Sequence, residues 1–180
     1  MCKRSLPLPV LALVLLTGCQ ATMRHATPQP AVPRAGNAEL VMYISDQPYV
    51  TAETAYRAAH LLSKGTPFDG DFDALASTLR SEGLIARHWR HTSDQYLDRG
   101  AVGFMLCRAC RIRSGVNWTL TGLGRYAWRE LQYKGIAGGG GEYGLMSGGE
   151  FVGLLSRAES YLRRTNKADV PPVELGAPGG

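Results

Sequence analysis

Apolar side chains recur every three to four residues along five stretches of this chain, the spacing that gives an α-helix one buried face. Thr51 to Lys64 carries Ala55, Ala58, Ala59, Leu61 and Leu62, with Thr51 and Thr54 as candidate start residues. Asp71 to Glu82 sets Phe72, Leu75, Ala76 and Leu79 on one side, and Gly83 follows as a stop. Asp98 to Ile112 carries Val102, Met105, Leu106, Ala109 and Ile112. Thr121 to Lys134 carries Leu123, Tyr126, Ala127 and Leu131, and Gly135 follows. Ser147 to Arg164 carries Phe151, Leu154, Leu155, Ala158, Tyr161 and Leu162, with basic residues in its last turn. Leu40 to Ser45 is a short apolar run that reads as a strand or an extended lead-in, and no partner strand is in view. The pattern predicts a mainly α chain of about five helices.

The five stretches are not independent. "FDALASTLRSEGLIARHWRHTSDQYLDRGAVGFMLCRA" and "YAWRELQYKGIAGGGGEYGLMSGGEFVGLLSRA" share one layout. In each, an amphipathic helix leads to a glycine and two apolar or small residues, then a loop, then a second helix. Gly83 aligns with Gly135, Leu97 with Met146 and Asp98 with Ser147, and Val50-Thr51 opens an earlier copy. Self-similarity at a period of about fifty residues marks stacked supersecondary units.

This layout resembles the S-layer homology family. Leu131-Gln132-Tyr133-Lys134-Gly135-Ile136 and Leu79-Arg80-Ser81-Glu82-Gly83-Leu84 fit its second-helix ending. Val50-Thr51-Ala52-Glu53, Leu97-Asp98-Arg99-Gly100 and Met146-Ser147-Gly148-Gly149-Glu150 fit its first-helix opening, and Phe68-Asp69 fits its loop. The likeness spans most of residues 49 to 164, as about two and a half copies. It implies a helical repeat bundle that binds cell-wall polysaccharide. The motif arginine remains only as Arg99 and the motif glutamate only as Glu150, so the family's polysaccharide-binding set is incomplete.

The ends of the chain carry a different kind of information. Lys3 and Arg4 precede an apolar run from Leu6 to Leu16, and then Leu16-Thr17-Gly18-Cys19 follows. This order reads as a secretory signal at residues 1–18. Its last four residues resemble the bacterial lipobox, which implies cleavage before Cys19 and lipid on the Cys19 thiol. Gln20 after the cysteine implies, by the same resemblance, the outer membrane. Residues 19–38 hold Pro28, Pro30 and Pro33 without apolar periodicity and read as a flexible tether. Residues 166–180, with Pro171, Pro172 and Pro178, read as a disordered tail. One helical domain over residues 39–165 lies between them, long enough to bury a single core.

Export alters the meaning of the charge. The formal net charge of the 180-residue chain is +5. Loss of Lys3 and Arg4 lowers it to +3, and an exported protein rarely meets nucleic acid. The partners expected are therefore the membrane, through the lipid, and an envelope polysaccharide or protein.

Candidate chemistry is sparse. Gly139-Gly140-Gly141-Glu142-Tyr143-Gly144 has the spacing G-x-G-x-x-G. A dinucleotide loop needs a strand before it and a helix opening at the glycines, whereas a helix precedes this one and the next helix starts at Ser147. Leu145-Met146 also occupies the Lys-Ser/Thr place of a phosphate loop, so a turn between helices is the better reading. Cys107-Arg108-Ala109-Cys110 has no second cysteine pair for metal and no histidine after Cys110 for haem. On a helix the pair reads either as two small core residues or as a possible i,i+3 disulfide, and a small periplasmic redox protein is the alternative function it offers.

Arg87-His88-Trp89-Arg90-His91 is a basic aromatic cluster. Trp89 suits stacking on sugar and the arginines suit acidic groups, although such a loop also serves simply to pack one aromatic under solvated charges. His88 and His91 alone make no metal site. Nothing pairs Ser, His and Asp, or Cys and His, at a helpful spacing. The expectation is an envelope lipoprotein with a structural or binding role, no enzymatic site, and no cofactor or metal. Its possible ligand contacts are Arg87, Trp89, Arg90 and Arg99.

Overall fold

Thr51 starts a helix because its extended backbone lets its side chain accept from the Thr54 amide. Ala52–Lys64 then runs through alanines and leucines, and Gly65 ends it in the left-handed region at φ 76°. The computed structural model describes residues 30–34 and 37–168. Among them are seven helices, α1 Asn37–Ser45, α2 Ala52–Lys64, α3 Phe72–Ser81, α4 Arg99–Ala109, α5 Val116–Thr121, α6 Gly124–Tyr133 and α7 Gly148–Ala168. Among the described residues, isolated β-bridges join Thr51 with Tyr96 and Asp98 with Leu145. The chain is mainly α, as its periodicity predicts. None of the described helices is long and apolar enough to cross a membrane.

Four helices lie within their periodic stretches, a fifth, α7, starts within its stretch and outruns it, and two more were not expected. α1 occupies the run read as a strand or lead-in and starts at Asn37, within the proposed tether. Its apolar residues are continuous, so no period was visible. In the structure Leu40 and Ile44 turn inward, one helical turn apart, while Met42 stays 69% exposed. α5 is held between Gly115 and Gly122, too short for a period to show. Its anchor is Trp118, buried with its Nε1 donating to the Ile112 carbonyl at 3.0 Å. α7 runs to Ala168, three residues into the stretch assigned to the tail.

The expected helix stops at Gly83 and Gly135 share one geometry. Gly83 has φ 73° and Gly135 has φ 69°. The next residue's amide bonds back across the turn, Leu84 N to Leu79 O and Ile136 N to Leu131 O, each at 2.8 Å. These turns return Ile85 and Ile136 to the core. α4 ends the same way, with Ile112 N on Cys107 O at 2.9 Å, but the left-handed residue there is Arg111 at φ 53°.

α4 and α6 form the closest helix pair, and their glycines explain it. A Cβ on Gly124 would lie 2.6 Å from the Gly100 carbonyl oxygen, and one on Gly103 would lie 3.1 Å from the Trp128 backbone. α2 packs against α1, α3, α4 and α7, and α7 packs on α1. The shared core holds Tyr56, Leu75, Leu79, Met105, Leu131 and Phe151, each hidden from water and each worth about 1.5–3 kcal/mol on full burial.

Three helix starts meet at the middle. Val50, Leu97 and Met146, which precede α2, α4 and α7 with one residue between, are all buried. Val50 N donates to Met146 O at 2.9 Å, and Leu97 N donates to Val50 O at 3.1 Å. Around them the first amide of each helix reaches the lead-in of the next. Ala52 N bonds Gln95 O, Arg99 N bonds Gly144 O and Gly148 N bonds Gln47 O, at 2.8, 3.0 and 3.1 Å. Because α7 reaches back to the lead-in of α2, the three junctions close a ring.

Candidate functional site

The ring draws two loops to one side of α4. The first, between α3 and α4, carries the basic aromatic cluster. Trp89 is half-buried, with its ring centroid 5.2 Å from that of Phe104 and 4.9 Å from that of His91. Its carbonyl accepts from Arg80 at 3.2 Å and from Arg90 at 2.9 Å. His91 Nδ1 pairs with the Tyr56 hydroxyl at 3.0 Å. Burial, with His88 nearby, lowers the His91 pKa, so the ring is held neutral at neutral pH.

The second loop is the glycine run before α7. Its carbonyls are fastened to the protein. Trp128 Nε1 donates to Gly140 O at 3.0 Å and Gln132 Nε2 to Gly138 O at 2.9 Å. Gly100 N donates to Glu142 O at 2.7 Å, beside the Arg99–Gly144 bond of the ring. Glycine is required where the loop crosses Arg99. A Cβ on Gly144 would collide with the guanidinium, and Gly140 sits at φ 118°. The run is a stapled turn that aims carbonyls inward, whereas a phosphate loop offers amide donors to its ligand.

Between the loops lies a groove of about 480 Å³. The first loop contributes Trp89 and His91. The start of α4 contributes Asp98, Gly100 and Ala101, and the start of α6 contributes Leu123, Gly124 and Arg125. Glu142 and Tyr143 come from the glycine run, and Tyr143 is 75% exposed. Asp98 caps α4 by accepting from the Ala101 amide at 2.7 Å. Burial nevertheless raises its pKa, outweighing its bonds to backbone amides, and Glu142 adds to the rise. Two aromatic rings, a guanidinium and two carboxylates around one hollow can stack on a flat apolar face and bond the hydroxyls at its edge.

Among the expected contacts, only Trp89 lines this groove. Arg87 and Arg90 are exposed beside it, and Arg90 folds back onto the Arg87 carbonyl at 2.8 Å. Arg99 is engaged elsewhere. Its Nε and a terminal nitrogen grip both oxygens of Glu150, at 2.8 and 2.9 Å, a bidentate pair joining the α4 and α7 starts. The hydrogen bond with Glu150 raises the Arg99 pKa. The sequence reading missed Arg125, Glu142, Tyr143 and the groove-facing role of Asp98. One signal was available, since Glu142 and Tyr143 are the two large side chains inside the glycine run.

Cys107 and Cys110 are buried as free thiols, not joined in the disulfide that their spacing allows. Cys107 Sγ donates to the Ala127 carbonyl at 3.4 Å, within the α4–α6 contact. Burial drives both thiol pKa values up, to about 12 for Cys110 and with help from Cys110 and Glu130 for Cys107. No group of three His, Cys, Asp or Glu side chains among the described residues is placed to hold a metal ion. Cys19 lies outside the described residues. Compared with known protein families, with curated proteins and with solved structures, the chain matches none.

Proposed function

We propose that this is a membrane-anchored envelope lipoprotein, lipidated at Cys19, whose helical domain has a non-catalytic binding role. The favoured ligand is an envelope polysaccharide, with a protein partner as the variant of the same reading. The observation that carries it is the groove, where Trp89 and Tyr143 offer ring faces and Arg125, Asp98 and Glu142 offer polar edges. Arg87 and Arg90 extend the cationic side toward acidic sugar substituents.

A divergent S-layer homology-like repeat is the finer fold reading. Its support is the closed ring of bonds at Val50-Thr51, Leu97-Asp98 and Met146-Ser147, the positions matched as helix openings. The recurrent glycine turn at Gly83 and Gly135 supports it too. The surviving motif residues, Arg99 and Glu150, bind each other, so recognition moves to the loops between the helices. The redox alternative is weaker, because a protonated, buried thiol is a poor nucleophile.

The test is co-sedimentation of the chain from Gln20 onward, which contains the whole core, with purified envelope polysaccharide. Tyr143→Ala with Arg125→Ala removes two exposed groove side chains and should abolish binding without altering the fold. Binding that survives the double substitution would rule out the groove. Failure of the unsubstituted chain to bind would remove the polysaccharide and leave a protein partner.

A further inference from the structure

We infer that the α5 side of the domain is a second, protein-borne membrane contact, which rests on anionic lipid headgroups and dips Val116 and Leu120 into the interface. From Arg99 to Arg129 the chain holds six arginines and no acidic residue. In the middle of that stretch sits α5. Its inner side is Trp118, and its outer side is Val116 and Leu120, one helical turn apart and 73% and 78% exposed. Leu123, 44% exposed, follows directly. A water-facing surface gains nothing from two adjacent aliphatic side chains held this far out.

The charges around this face match a bilayer. Arg111 and Arg113 are exposed just before α5, and Arg125 and Arg129 are exposed after it. Arg108 lays its guanidinium over the Phe104 and Trp118 rings, 5.4 and 5.3 Å from their centroids, which holds a further positive charge beside the helix. Glu130, the first acid to follow, is buried and takes the Ser114 hydroxyl at 2.5 Å, so it does not offset the rim. Apolar side chains ringed by cations on a short helix are the composition of an interfacial element. The face adjoins the groove and shares Leu123 and Arg125 with it, but its centre is aliphatic where the groove carries aromatic rings and carboxylates.

The bilayer is within reach. The stretch from Cys19 to Asn37 spans at most about 60 Å in any conformation. From the lipoprotein reading the inference takes only that a membrane lies close by. A lipid at Cys19 limits distance but sets no orientation, and this face supplies the orientation.

Binding is measured by sedimentation of the unlipidated chain from Gln20 onward with vesicles. One set is phosphatidylethanolamine with phosphatidylglycerol, and the other is phosphatidylcholine alone. The expected result is binding to the anionic vesicles that weakens with added salt, and little binding to the neutral ones. Val116→Glu with Leu120→Glu should lower the partition by at least about tenfold, since insertion of both exposed side chains is lost and two carboxylates then face the anionic headgroups. Arg111→Gly with Arg113→Gln should lower it by more than about tenfold, with the fold intact.

Equal binding to both vesicle types, no binding to either, or full binding by the Glu pair would each overturn the inference. So would a dimer in solution that the Glu pair dissociates, because a second copy would then cover the face. Neither substitution pair alters Tyr143 or the other groove residues, so the polysaccharide test stands or falls separately.

Discussion

Gly124→Ala sets helix propensity against packing, and the structure decides between them. Gly124 is the first residue of α6, and its φ lies outside the left-handed region. On propensity alone, alanine there should stabilise by about 0.4–1 kcal/mol. The added Cβ, however, would sit 2.6 Å from Gly100 O, 2.8 Å from its carbonyl carbon and 3.2 Å from its Cα. These are backbone atoms of α4 and cannot swing aside. The closest helix pair in the fold must open, and such overpacking costs about 1–3 kcal/mol. The balance is a net loss of about 1–2 kcal/mol, or about 3–8 °C in Tm for a domain of this size. Gly149→Ala is the matched control, because Gly149 lies in the first turn of α7 and a Cβ there meets nothing within 4 Å. It should stabilise by about 0.4–1 kcal/mol. Urea unfolding followed by circular dichroism gives both values, with m unchanged. A Gly124→Ala protein as stable as the parent, alongside a stabilised Gly149→Ala, would refute the close α4–α6 approach.

Further outcomes follow from single residues. Arg111→Gly should raise stability by about 1 kcal/mol, because Arg111 occupies a left-handed position at φ 53° that glycine fills at Gly83 and Gly135, and unchanged unfolding would contradict this. Arg57 is 2% exposed and bonds Glu53 and the carbonyls of Phe68 and Gly70, so Arg57→Met should lose about 3 kcal/mol in the same assay. Asp98 keeps its proton to higher pH when folded than when unfolded, so its contribution is full below the unfolded pKa and falls as pH rises through the carboxylate range. Asp98→Asn, which retains a capping oxygen, should flatten that fall in a Tm–pH series, while Asp98→Ala should lose about 1 kcal/mol. Cys107 and Cys110 should resist thiol reagents in the native protein at mildly alkaline pH and react on unfolding, and rapid native labelling of either would revive the redox reading.

Much of the helical frame was legible because its signals are local. The Thr51, Asp71 and Asp98 caps, the Gly83 and Gly135 stops and the 3.6-residue apolar period all act within a turn or two of chain. α1 escaped because an all-apolar run has no period, and α5 because six residues hold too few turns. The site was less legible, for a physical reason. The groove joins Trp89 to Tyr143 across more than fifty positions of sequence, and only the ring of junction bonds brings those loops together. Arg99 misled in the opposite direction. A motif arginine at a helix start looked free for a ligand, but Glu150, far along the chain, takes its Nε and one terminal nitrogen in a bidentate pair.

The central claim is that this domain works at the envelope, held there through Cys19. Intact-mass spectrometry of the protein extracted from the membrane fraction tests it most directly. The account predicts a chain that begins at Cys19 and carries the mass of acyl groups there, and a Cys19→Ser protein without that mass. A membrane-derived chain that retains Met1 to Gly18, or one with an unmodified Cys19, would contradict it.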